Sequence, residues 1–152
     1  MDAFWLWFLT GIEHITDLTG YDHILFVSLL VFTYPFKEWK QLVILISGFT
    51  IGHSVSLMVS TISQIRLPQS FIEFLIALSI LMSALYNLII CRKEPSNQHT
   101  KRIFFLIICF FGLIHGLGFS YVLKSMLGTG QNVLLPLLYF NLGLEVGQLI
   151  IV

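Results

Sequence analysis

Apolar residues run along this chain in long blocks separated by short polar connections. A bilayer core about 30 Å thick needs about 20 such residues to be crossed by a helix. Five blocks approach that length: His23 to Phe36, Gln41 to Ile62, Ser70 to Cys91, Ile103 to Leu123 and Val133 to Val152. The first is short and can be lengthened only by taking in Gly20 to Asp22, which puts the pair Asp22-His23 at its start. Ahead of it, Ala3 to Leu18 carries Trp5, Trp7 and Phe8 but also Glu13, His14 and Asp17. That stretch predicts an interfacial or half-inserted helix. The expected architecture is all-α: one polytopic transmembrane bundle over residues 1–152, with five or more spans plus the N-terminal element. Leu149-Ile150-Ile151-Val152 ends without a polar tail, which predicts a truncated fifth span or further chain beyond it.

Composition strengthens the membrane assignment. Hydrophobic residues make up 57% of the chain and charged residues 11%, against about a quarter charged in soluble domains. The net charge of zero gives no reason to expect nucleic acid. Asp2 and the lack of Lys or Arg in the first residues argue against a secretory signal. Where the basic residues fall is more informative. Lys37 and Lys40 lie in the first connection and Arg92, Lys93, Lys101 and Arg102 in the third, while the second and fourth offer only Arg66 and Lys124. By the positive-inside rule the first and third connections are cytoplasmic. The expected setting is a bacterial inner membrane, with the N-terminal element on the outer side. Cys91 and Cys109 lack CxxC spacing and form no disulfide framework.

Against this background a few polar residues stand out: His14, Asp22, His23, His53, Glu73, His115 and Glu145. Ionisable groups inside a membrane are expensive and therefore point to function. His53 lies 11 residues beyond Leu42, roughly 16 Å along a helix, and His115 the same distance beyond Phe104. Phe49-Thr-Ile-Gly-His53 is echoed by Phe111-Gly-Leu-Ile-His115, and each histidine is flanked by small residues every fourth position. Close helix packing accounts for those small residues but leaves the histidines unexplained. His23, His53 and His115 are expected to meet around a shared ion. Each residue also has a plainer reading. His53 and His115 alone could be neutral imidazoles bonded to a neighbouring helix, and His14 or Asp22-His23 could sit at headgroup level. Glu73, three residues after Ser70, has capping-box spacing, and His99 falls in a polar loop. Glu145 shares a helical face with Asn141 and Gln148, and a carboxylate there needs a partner or a proton.

Imidazoles and carboxylates without thiolate suit borderline divalent ions such as nickel, cobalt, zinc or iron. The expected ligands are His14, Asp22, His23, His53 and His115, with Glu73, Glu145, Asn141 and Gln148 as supporting or relay groups. Six blocks then carry a resemblance: Gly11-Ile-Glu-His14, Gly20-Tyr-Asp-His-Ile-Leu-Phe26, Phe49-Thr-Ile-Gly-His-Ser-Val-Ser-Leu57, Glu73-Phe-Leu-Ile-Ala-Leu-Ser79, Gly112-Leu-Ile-His-Gly-Leu-Gly-Phe119 and Phe140-Asn-Leu-Gly-Leu-Glu-Val-Gly-Gln148. In order, they resemble the HupE/UreJ hydrogenase and urease accessory membrane proteins, in the second, shorter subgroup. The resemblance implies an inner-membrane protein associated with nickel, acting as permease or metal-supply factor for a metalloenzyme maturation partner. Its motif residues fall on His14, Asp22, His23, His53, Glu73, His115 and Glu145. Three functions are compatible with these residues: metal transport with Glu145 as an inner relay, metal-dependent intramembrane hydrolysis of a lipid or lipidated substrate, and a non-catalytic metal-binding accessory role.

Overall fold

A computed structural model describes residues 2–34, 36–63, 67–90, 98–127 and 133–152, the side chains of 36, 89, 90, 98–100 and 127 excepted. Arg66, Cys91, Arg92, Lys93 and the His99 side chain lie outside the described set. Six α-helices follow in order: α1 Ala3–Thr16, α2 Tyr21–Thr33, α3 Trp39–Ile62, α4 Gln69–Ile90, α5 Gln98–Leu127 and α6 Leu134–Ile151, with a 3-10 turn at Phe36–Glu38 before α3. The helices begin and end where backbone chemistry allows. Asp17 stops α1 by accepting the Thr19 N–H and hydroxyl, both at 2.8 Å. Pro68 precedes α4 and its carbonyl accepts from Phe71 and Ile72. Pro136 sits in the first turn of α6, where its missing N–H has no intrahelical partner to lose.

Four of these helices are long and apolar enough to cross a membrane, and α1 with α2, bent by 72°, supplies a fifth crossing if the pair counts as one span. At 13 residues, α2 alone rises only about 20 Å. The expected first span therefore cannot stand by itself. α1 lies along α6 from Phe4, whose ring meets Tyr139, to Ile15, which packs against Gly147. At its polar end His14 turns into the bundle while Glu13 and Asp17 stay exposed.

Two close helix pairs organise the bundle. α3 and α5 run side by side in the same direction, and a methyl group on Gly52 or Gly112 would strike the backbone of Cys109 or Phe49 respectively. α1 and α6 repeat the device, with Gly11 against the Phe140 carbonyl and Gly143 against that of Phe8. Lipid tails are as apolar as leucine, so close backbone approach, and not hydrophobic burial, favours such pairing. α3 is central, with 56% of its span buried against 22% for α4. α4 joins α2 through Asn87, which donates to the Leu29 carbonyl at 2.8 Å and accepts from Thr33. Its other side shows Phe71, Phe74, Leu81, Met82 and Leu88 to the surroundings, as a lipid-facing helix does. At one end Lys101 reaches Glu38 at 3.8 Å, close to Lys37 and Lys40 in sequence; at the other Lys124 donates to the Ser63 carbonyl.

Two apolar clusters fill the interior. One, toward the Lys101 end, gathers Phe26, Leu30, Tyr34, Leu45, Phe49 and Ile108. The other holds Trp7, Ile15, Leu57, Leu123, Phe140 and Leu144. The histidines occupy the layer between them, touching Phe49 on one side and Phe140 on the other.

Candidate metal centre

The break between α1 and α2 sets the geometry of this layer. His14 stands in the last turn of α1 and His23 in the first turn of α2, so two side chains close in sequence approach the same place from helices 72° apart. His53 reaches it from the middle of α3. Ligand atoms of His14, His23 and His53 lie within 4.8 Å of one another. His115 on α5 adjoins them, its ring centroid 5.3 Å from that of His23. The sequence grouped His23 and His53 with His115; in the structure the tightest trio takes His14 as its third member. Equal depth of His53 and His115 follows from α3–α5 pairing, since Gly116 packs against both His53 and Ser56.

Burial is nearly complete: His53 is 0% exposed, His115 1% and His23 5%. Nε2 of His14, both ring nitrogens of His53, and Nε2 of His23 and His115 have no hydrogen-bond partner in the protein. Buried polar atoms are normally paired, and each exception calls for an explanation. So many facing imidazole nitrogens in one apolar layer fit a divalent cation. Two second contacts orient the rings. His115 Nδ1 lies 2.9 Å from the Phe111 carbonyl, and since a carbonyl only accepts, Nδ1 carries the proton and Nε2 presents its lone pair. Asp22 Oδ1 lies 3.2 Å from His23 Nδ1, and a small rotation lets the Nδ1–H donate to the carboxylate. Handing the second nitrogen to a carbonyl or carboxylate is what ligating histidines do.

The remaining candidates lie elsewhere. Glu73 is exposed on α4 and accepts from Gln69, one turn earlier in the same helix, at 3.2 Å; it is not part of the cluster, and its side chain bonds Gln69 in place of a capping box with Ser70. Glu145 accepts from Ser47 on α3. Gln148 accepts from Thr50 at 2.8 Å, and Asn141 Oδ1 is buried without a partner. Sequence reasoning missed the aromatic walls. The Phe119 ring centroid lies 3.9 Å from that of His14, tilted by 38°, and 5.1 Å from Phe140, almost parallel to it, and Phe49 flanks both His53 and His115. The signal was present, since Phe49 and Phe119 each stand four residues from a histidine and so on its helical face.

Comparison with known proteins agrees with the resemblance carried by the sequence blocks. A family model described as HupE / UreJ protein matches residues 1–152. The chain belongs to the HupE/UreJ family. No curated protein and no solved structure matches it. Membership in the family implies a membrane accessory protein associated with nickel supply.

Proposed function

We propose that this HupE/UreJ protein captures a divalent transition metal, nickel or a nickel-like ion, at His14, His23 and His53 and moves it across the bacterial inner membrane. On this reading the connection bearing Lys37 and Lys40 faces the cytoplasm, where the ion is supplied to a metalloenzyme maturation partner. One observation carries the reading. Three imidazoles from three different helices, with unpartnered nitrogens, converge within 4.8 Å. Metal–nitrogen bonds of about 2.0–2.1 Å put tetrahedral ligand atoms about 3.3 Å apart, so a small ring movement closes the set. His115 and Asp22 support the trio, and the donor chemistry suits nickel, cobalt or zinc better than copper(I).

Equilibrium metal binding tests the site directly. Purified protein is expected to hold one nickel or zinc ion per chain, and His53→Ala to lose it; wild-type affinity in that variant would remove the site from consideration. Uptake by proteoliposomes then separates transport from simple binding.

One feature favours a second reading. Three histidines with a carboxylate beside them, as Asp22 stands beside His23, are also the protein donors of hydrolytic zinc sites, where the metal supplies a Lewis acid. Lipid-ester or lipopeptide cleavage by the zinc-loaded protein, abolished in Asp22→Asn with metal retained, would establish that alternative.

A further inference from the structure

Below the histidine layer, toward the Lys101 end, the apolar interior is interrupted a second time. On α6, Glu145 and Gln148 turn to α3, where Ser47 meets the carboxylate and Thr50 meets the amide. Thr50 and Ser47 precede His53 by three and six residues, or about 4.5 and 9 Å along the helix. Gln148 is 0% exposed, and its Nε2 has no partner. The hydroxyl of Thr50 has one proton and two acceptors in reach, the Ile46 carbonyl at 3.2 Å and Gln148 Oε1 at 2.8 Å. Turning the Gln148 amide over satisfies both groups, because Thr50 then donates to Ile46 and accepts from Nε2. That orientation frees Oε1. A carboxylate, an unpaired amide oxygen and two hydroxyls then lie within about one helical turn of one another along the α3–α6 contact.

We propose that Glu145, Gln148, Ser47 and Thr50 form a second, oxygen-donor cation station between α3 and α6, which receives the ion from the histidines and releases it toward the Lys101 end. This rests on the transport reading. Oxygen donors hold a borderline ion less firmly than imidazoles, and a path conducts only if its sites bind well enough to fill yet weakly enough to empty. The place suits passage as well. α3 and α6 belong to different glycine-packed pairs, and the seam where the pairs meet is packed more thinly than either pair. Asn141, one turn before Glu145 on the same face of α6, adds a buried oxygen without a partner on the histidine side of the station.

The test compares wild type with Glu145→Gln and with Thr50→Val/Gln148→Leu, using nickel alone as the probe. Both variants are expected to keep wild-type equilibrium binding at the histidines while nickel uptake into proteoliposomes falls about tenfold or more, equivalent to a barrier raised by about 1.4 kcal/mol. Unchanged uptake in either folded variant overturns the station and leaves histidine capture standing. Lost binding also overturns it, because Glu145 would then only position a ligand. Wild-type vesicles that bind nickel but never admit it overturn the station and transport together. Manganese(II), which prefers oxygen donors, provides a second readout that leaves all four station residues in place and is taken on folded His53→Ala protein. In His53→Ala protein it should give a weakly bound paramagnetic signal, and its absence overturns the proposal.

Discussion

The α3–α5 pair and the α1–α6 pair solve the same problem with different consequences. Both bring backbones together through glycine: Gly52 and Gly112 in one, Gly11 and Gly143 in the other. In the first pair both helices run unbroken past their histidines, so His53 and His115 stand on a continuous wall. In the second, α1 stops two residues after His14, and the chain turns 72° before delivering His23. One half of the histidine layer is thus fixed by two full spans, the other by helix ends. The half carried on helix ends is therefore the half with more freedom to move.

Glycine substitution tests the comparison most severely. Gly52→Ala is expected to destabilise the protein by about 1–3 kcal/mol, the usual penalty of overpacking, because the new methyl meets backbone and not a flexible side chain. Gly143→Ala should act on the α1–α6 pair alone. Thermal melts with and without nickel should show metal recovering part of the Gly143→Ala loss, because His14 ties that pair to the rest; equal melting of both variants under all conditions would erase the distinction. Next comes the orientation of the rings. His23 is oriented by a side chain and His115 by a backbone carbonyl, so Asp22→Asn is expected to weaken nickel binding about 10–100-fold. Titration of the purified variant reads this, and unchanged affinity would place Asp22 outside the site. A smaller effect belongs to the α2–α4 joint. Thr33→Val leaves Asn87 Oδ1 without its hydroxyl partner and should cost about 1 kcal/mol in a melt. The smallest is Glu73→Gln: exposed and bonded only within its own helix, it should change stability by less than about 0.5 kcal/mol and leave metal binding as it is. Weakened binding would bring Glu73 back among the candidate ligands.

Much of the fold could be read from the chain because membrane spans announce themselves by length. The α3–α5 pair was legible too, through Phe49-to-His53 and Phe111-to-His115 with their small residues in step. α1 was harder. Glu13, His14 and Asp17 look like residues seeking headgroups, and only the tertiary structure reveals that His14 has histidine and phenylalanine neighbours in place of water. Gly11, Gly143 and Gly147 form no internal echo, so nothing in the sequence pairs the first helix with the sixth. The candidate site was legible as a set of residue types and depths. Which helical face each histidine occupies depends on crossing angles and on the α1–α2 bend, and neither is written in a hydropathy pattern. Glu73 illustrates the converse, a motif residue at a plausible depth whose side chain points away from the cluster.

Pairing α1 with α6 also constrains how the protein is made. Gly11 packs on Phe140 and Ile15 on Gly147, so α1 is made well before α6 and waits for it before its contact face is covered. Until then His14 sits on a short, polar-ended segment with little hold on the bilayer, while α3 and α5 can already close around each other. Contacts so distant in sequence form late. Assembly of the histidine layer therefore waits for α6, and a nascent chain arrested before α6 would leave the contact face of α1 uncovered.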